Sequence, residues 1–427
     1  MNIDMMHPAD RIVLLMNRIY SGGLTTMSGG NLSIRESNGD LWVTPGGVDK
    51  GILHRSDIVC LHPDGSQHGH QKPSSELKMH QAIYNSCPDI QAVLHAHSPS
   101  LVAFGIMHEI PTINLIPNTR LVCGSIDLVP YARPGSDELV EMLETAFAKG
   151  HSAVLLSNHG ICVAADSISK AYMIFETLEY AARSELLARR LGPLRVLTID
   201  QIDIARTEAH IRLSEFRPRS HSSEELALRR DMARMIRRAL EQHLFSSTQG
   251  TLSTRLSDGS FLITPYGADR WQIHEEDLVL VRRSMKEAGK TPSRAVFLHE
   301  LIYHHQPDIQ AIINAQPMNL TAFTLTDVVL DTHLVPDSYI HLKQLPTVPY
   351  GMNYLEAKKV IKLFTPDTPA VLLQNDGVIV TGKDLMQAFD RFETAEFAAR
   401  IQLSAPRQSE LHGLDSEKIS ELDQYFH

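Results

Sequence analysis

The stretch GNLSIR at residues 30–35 returns as GTLSTR at 250–255, and five further blocks return in the same order. LWVTPGGVDK from Leu41 recurs as FLITPYGADR from Phe261, and CPDIQAVLHAH from Cys87 as QPDIQAIINAQ from Gln306. VPYA recurs as VPYG, AVLLSNHG as AVLLQNDG, and FETLEYAAR as FETAEFAAR. The offset drifts only from 220 at the first block to 217 at the last. One domain of about 190 residues has therefore been written twice, and whatever fold is assigned must serve both copies. The expected division is residues 1–193, a connector at 194–223 containing RPRSHSSEE, a second copy at 224–406, and a polar tail at 407–427.

A chain of 427 residues exceeds what a single core serves, in keeping with that division. Its net charge of -10 argues against a nucleic-acid or anionic-membrane surface. The N-terminus keeps a helical period without the apolar core of a secretory signal, and no apolar run reaches the length of a membrane span. Cys60, Cys87, Cys123 and Cys162 lie in apolar contexts without CxxC spacing, which reads as reduced core thiols of a cytoplasmic protein.

Ile12, Leu15, Met16 and Ile19 recur at helical spacing. A hairpin follows, NLSIR to LWVTP, turning at Asn38-Gly39. Pro73-Ser74-Ser75-Glu76 opens a helix with Ser74 or Ser75 as N-cap, IQAVLHAH reads as a buried strand, and Ser136 caps a helix to Ala148. AVLLSNHGICV is strand-turn-strand, and a long helix runs from about Ser167 to Arg190. Helices alternating with strands and a hairpin predict an α/β layer fold with a mixed sheet.

His95 and His97 stand two apart on a strand, so both imidazoles face one side. His159, at a strand end before Gly160, and Glu76, at the start of the preceding helix, are the other candidate ligands. The second copy acts as an internal control. It keeps the neighbouring Pro-Asp-Ile-Gln, yet Glu76 has become Ala295, His95 Asn314, His97 Gln316 and His159 Asp376. Core fillers would have no reason to change together, so these four are expected to bind one divalent metal in the first copy and none in the second. His299-Glu300 with His304 has the wrong spacing for a zincin, His62, His68 and His70 read as solvated loop residues, and no nucleotide-binding glycine loop follows a strand.

Taken together, Gly30-Asn31-Leu-Ser-Ile-Arg, Thr44-Pro45-Gly46-Gly47, Lys72-Pro73-Ser74-Ser75-Glu76 with His80, His95-Ala96-His97 and Asn158-His159-Gly160 resemble the class II aldolase/adducin family. The resemblance implies a three-layer α/β/α class II aldolase fold with a mixed, largely antiparallel central sheet, here duplicated. It implies a metal-dependent lyase that cleaves or forms a C–C bond in a small hydroxy-ketone, a sugar phosphate by preference, through a metal-stabilised enediolate. In that scheme His95, His97, His159 and Glu76 hold the metal, with Zn first and Mn, Fe or Co as alternatives, and Glu76 doubles as base. Asn31, Thr44, Gly46, Gly47, Ser74 and Ser75 form the phosphate pocket, which a helix N-terminus suits. The family's threonine is Gly46 here and its interface tyrosine is Leu115.

His80 and Arg120 are accessory candidates, as are Tyr339 and His341 of the second copy, which could reach a neighbouring chain's site. Family oligomers are rings with sites at subunit interfaces, which implies a homodimer imitating a tetramer, or a higher homo-oligomer. The partners are a small-molecule substrate and other copies of the chain, with no nucleic acid and no membrane. Other chemistry at the same metal (epimerisation, decarboxylation or iron-dependent oxygenation) and an adducin-like scaffold without catalysis are the rival expectations.

Overall fold

Leu32 and Ile34 alternate with polar Asn31, Ser33 and Arg35, and this strand pairs across the Asn38-Gly39 turn with Leu41–Val43, a hairpin within the first of two mixed sheets. The computed structural model describes residues 3–207, 213–406 and 410–426. It divides into two compact units: Met1–Ile113 with Asn118–Arg183, and Asn114–Pro117 with Ser184–His427.

In the first unit, β1 (Asn31–Arg35), β2 (Leu41–Val43), β3 (Val59–Leu61), β4 (Gln67–His68), β5 (Ala92–Ala96), β6 (Ile126–Val129), β7 (Ala153–Leu156) and β8 (Gly160–Ala165) form one sheet. Its order is β4-β3-β2-β1-β5-β8-β7-β6, antiparallel throughout except for β6 beside β7. The register sets Asn31 opposite His95, and His95 opposite Cys162. Side chains alternate faces along a strand. Val93 and Cys162 therefore point, with His95, towards the helices Leu77–Ser86 and Asp137–Ala148, where Met79, Ile83, Leu139, Leu143 and Phe147 complete a core. The other face takes the helix Pro8–Ser21, which buries Ile12, Leu15, Met16 and Ile19, and the helix Pro99–Met107. Each fully buried Leu, Ile or Phe in these layers contributes about 1.5–3 kcal/mol. The long helix spans Ile168–Leu191, and Ser136 Oγ caps the helix Asp137–Ala148 by accepting from Leu139 N.

The second unit repeats this plan. Strands β9 (Ser214–Phe216), β10 (Thr251–Arg255), β11 (Phe261–Ile263), β12 (Val279–Arg282), β13 (Met285–Glu287), β14 (Ala311–Ala315), β15 (Thr347–Val348), β16 (Ala370–Leu373) and β17 (Gly377–Gly382) run in the order β15-β16-β17-β14-β10-β11-β12-β13-β9. Thr251 lies opposite Asn314, as Asn31 lies opposite His95.

Four expectations change. The connector is structured: it carries the helix Ile199–Thr207 and supplies β9, parallel to β13, so it belongs to the second unit (208–212 lie outside the described residues). The tail contains the helix Ser416–Phe426, anchored where Asp423 accepts from Tyr339 Oη at 3.0 Å (407–409 and 427 lie outside the described residues). The helix after Pro73 begins only at Leu77, with Ser74 Oγ accepting from Glu76 N, because that serine serves the turn before the helix. His62 is not simply solvated; its ring bonds Asp40 at 2.7 Å.

Candidate metal centre

The neighbouring strands β5 and β8 bring three histidines together. His95 is the last residue but one of β5, His97 follows the strand, and His159 precedes Gly160 at the start of β8. Gly160 is required by space: a Cβ there would lie 2.5 Å from the Ala96 carbonyl oxygen and 2.8 Å from His97 Cδ2. Glu179 of the long helix accepts from Ser100 N and Leu101 N, both at 3.0 Å, which pins the helix that begins just after His97.

The ligand atoms of His95, His97 and His159 all lie within 4.8 Å of one another. His95 Nδ1 faces the Ile161 carbonyl at 2.9 Å, and a carbonyl only accepts, so the proton sits on Nδ1 and the Nε2 lone pair is free. His97 Nε2 is 2.9 Å from His95 Nε2. Glu76 completes the group, Oε2 being 3.4 Å from His95 Nε2 and Oε1 3.4 Å from His159 Nε2. Burial holds all three imidazoles below their usual value, His95 at about 4. Burial raises the Glu76 carboxyl, but His95, the Asn31 hydrogen bond and His159 outweigh it and keep it ionised. Glu76 Oε1 is buried with no hydrogen-bond partner. Three neutral imidazole nitrogens around an underbonded carboxylate oxygen are the donor set that a borderline divalent ion takes.

Behind Glu76 runs a chain of buried hydrogen bonds. Asn31 Nδ2 donates to Glu76 Oε2 at 2.7 Å, which leaves Asn31 Oδ1 to accept from His80 Nε2 at 2.5 Å. His80 Nδ1 must then accept from Ser33 Oγ at 2.6 Å, and Ser33 accepts from Tyr84 Oη at 2.7 Å. Each direction follows from the one before, so a single tautomer satisfies the chain. Burial, with a smaller push from His95, drives His80 down to about 3, which keeps it neutral. Sequence reasoning named Asn31 and His80 but missed Ser33 and Tyr84. Their recurrence as Ser253 and Tyr303 was the available signal.

The expected phosphate residues divide. The loop at Gly46 lies against Pro73–Ser75, with a Cβ on Gly46 falling 3.2 Å from the Pro73 carbonyl oxygen, and Gly47 and Ser75 are exposed there. Thr44 is buried, its Oγ1 accepting from Leu32 N, and Ser74 is buried with its Oγ accepting from Glu76 N, so both brace the loops. Sequence reasoning also missed Lys50, which is 1% exposed and donates from Nζ to the Pro45 carbonyl. Burial pushes its ammonium down to about 8, and it places positive charge beneath the loop. Arg120 lies on the helix Pro117–Cys123. In the second unit Tyr339 is engaged with Asp423, and His341 lies 3.4 Å from Asp390.

The second unit replaces the cluster by hydrogen bonds. Gln316 Nε2 donates to Asp376 Oδ1 at 3.0 Å, while Tyr354 Oη and Asn353 Nδ2 donate to Oδ2 at 3.3 and 3.4 Å. Tyr303, Ser253 and His299 repeat the relay, but His299 Nε2 is buried without a partner because Thr251 stands where Asn31 would. Among the described residues the one other group with metal-ligand spacing is Asp40, Cys60 and His62, where burial pushes the Cys60 thiol up to about 11 and His62 is already bonded to Asp40.

The profile of the Class II Aldolase and Adducin N-terminal domain matches residues 10–186 and again 230–403. The chain is 30% identical over 202 residues to the 5-deoxy-D-ribulose 1-phosphate aldolase of Bacillus thuringiensis serovar kurstaki, covering 45% of this chain and 91% of that one. It is 32% identical over 199 residues to the 3-oxo-tetronate 4-phosphate decarboxylase of Escherichia coli K12 (45% and 92%), and 35% identical over 179 residues to an L-fuculose phosphate aldolase of Methanococcus maripaludis (42% and 93%). Among solved structures, an L-fuculose 1-phosphate aldolase is similar at 28% identity and a TM-score of 0.43, covering 49% of this chain and 99% of its own. Two profile matches that each coincide with one repeat show that the chain belongs to the class II aldolase and adducin family, with the family domain present twice.

Proposed function

We propose that the first domain is a metal-dependent lyase acting on a small phosphorylated hydroxy-ketone, with Glu76 as its base. The observation that carries this is the convergence of His95, His97 and His159 on a carboxylate whose second oxygen has no partner. The three imidazoles and Glu76 would hold the ion, zinc by preference; when bound, it polarises a carbonyl and offsets negative charge developing beside it.

This chain's own residues do the rest. Were a substrate oxygen to take the place of Glu76, its carboxylate would be free to move a proton at the substrate carbon, accepting it when the C–C bond forms and returning it to that carbon when the bond breaks. Asn31 holds Oε2 of that carboxylate, and neutral His80 fixes Asn31, so the base keeps its orientation through the exchange. Gly47 and Ser75, on loops underlain by the Lys50 ammonium, receive the phosphate. Relatives named as aldolases and as decarboxylases match about equally well, which gives a second reading of the same geometry: loss of carbon dioxide from a 3-oxo acid phosphate. Both break the bond on the far side of the carbon α to an activated carbonyl and leave the electron pair as an enolate. We place the protein in the cytoplasm, in keeping with its four unpaired thiols, and infer a homodimer.

The test is metal analysis of the purified protein, then a panel of ketose 1-phosphates and 3-oxo acid 4-phosphates with wild type and Glu76→Gln. About one ion per chain and activity lost in Glu76→Gln are expected. A metal-free protein, or a Glu76→Gln variant as fast as wild type, overturns the reading.

A further inference from the structure

Because the chain is a repeat, a contact made by a residue that both copies keep should occur twice, and that of Asn375 does not. In the second unit Asn375, 1% exposed, donates through Nδ2 to the carbonyls of Leu115 at 2.8 Å and Arg195 at 2.7 Å. Arg195 N donates to the Leu325 carbonyl at 2.8 Å, and Leu325 is fully buried. The segment that covers this turn is thus Asn114–Pro117 joined to the start of the connector, where Leu197 N donates to the Asn114 carbonyl at 3.1 Å.

The first unit has the same turn uncovered. Asn158 occupies the position of Asn375, with the same left-handed backbone (φ 57 against 58), and is exposed. Ile106 occupies the position of Leu325 and is 58% exposed, with Met107 beside it at 39%. The second copy of the covering segment also exists. His333–Pro336 repeats Asn114–Pro117, and Leu414 N donates to the His333 carbonyl at 2.8 Å as Leu197 N does to Asn114. Leu115 and Ile116 are buried, whereas their counterparts Leu334 and Val335 are only partly so.

One joint is closed and the two halves of another lie open on the same chain. We propose that a second copy of this chain closes it: the segment His333–Pro336 with His412–Leu414 of each chain covers the Ile106–Asn158 turn of the other, Asn158 Nδ2 donating to the carbonyls of Leu334 and His412. Reciprocal exchange closes both joints in a dimer and leaves no free edge to polymerise. The ion pair of the closed joint, Arg195 with Asp327, has His412 and His108 in its place, so the open joint rests on amide and apolar contacts. Asn158 precedes His159, so the partner would wall the metal centre. The inference rests on the dimer proposed above and is independent of the reaction.

Sedimentation at micromolar concentration tests it. Wild type should have the mass of two chains, and Ile106→Arg and Leu334→Arg, both at accessible positions, should each run as monomers with unchanged circular dichroism. Mixing these two monomers should restore a dimer, because one of the two joints then has both native faces. As a check independent of the arginines, Asn158→Cys and Leu334→Cys chains, mixed under mild oxidation, should cross-link. A wild-type monomer would overturn both joint and dimer. A dimer indifferent to both arginines, and no cross-link, would overturn the joint alone.

Discussion

The carboxamide of Asn31 stands between His80 and Glu76, accepting from the imidazole at 2.5 Å and donating to the carboxylate at 2.7 Å. An amide in this place transmits orientation but no charge, so the base is held by a group that cannot compete for its proton. Asn31→Ala should therefore leave the ion bound yet lower kcat by about 10- to 100-fold, short of the 10²–10⁴ that removal of a general base costs. Turnover of both variants on the same substrate compares them, and an Asn31→Ala enzyme at wild-type kcat would remove Asn31 from the mechanism.

Tyr84→Phe and Tyr303→Phe delete the same hydroxyl from the two relays. Each should cost about 1 kcal/mol of stability, the worth of a buried hydrogen bond. Only Tyr84→Phe should also slow catalysis, because only its relay reaches a carboxylate. Thermal melts and kinetics of the pair would show the difference, and equal activity losses would refute the relay's role.

Gly160→Ala places a methyl group against the Ala96 carbonyl and the His97 ring. The strands must part or the imidazole must tilt, and metal affinity should fall by at least 10-fold, in line with disturbances of ligand orientation. Titration with a chelator measures this. Gly377→Ala, at the equivalent turn of the second unit, should destabilise the fold while leaving the bound ion untouched.

Asp376 titrates high, at about 6, because burial outweighs the help of Arg294 and its hydrogen-bond donors. Its folded-state value lies above that of an unfolded chain, near 3.9. The contribution of its proton is complete below about pH 4 and is lost as pH rises through 6. Asp376→Asn never ionises, so its stability relative to wild type should improve from pH 4 to pH 8, by roughly 3 kcal/mol. A difference in melting temperature that is flat across this range would contradict the assignment.

The cluster of His95, His97 and His159 was legible because the chain carries its own control: the twin at Asn314, Gln316 and Asp376 subtracts the scaffold from the site. The same subtraction is blind to Ser33 and Tyr84, which the twin keeps, and to Lys50, which it keeps as the cation Arg270. Alternation and capping placed the strands and the helix after Ser136 well. The edge strand Ser214–Phe216 was not legible, since exposed Ser214 and Glu215 with a half-buried Phe216 become a strand only when β13 offers them a partner. Nor was the assignment of Asn114–Pro117 to the second unit, because the bonds from Asn375 and Leu197 that hold it come from residues remote in sequence.

The unpaired Nε2 of His299 sets a limit on redesign. An orphaned buried nitrogen costs about 1–3 kcal/mol, and no carboxamide follows it in its own unit, where Thr251 stands in the place of Asn31. The same imidazole in the first unit cannot be traded away without loosening Asn31. The chain thus contains a reserve of stability in the half that lacks the histidine cluster, and thermostabilised forms should be sought there.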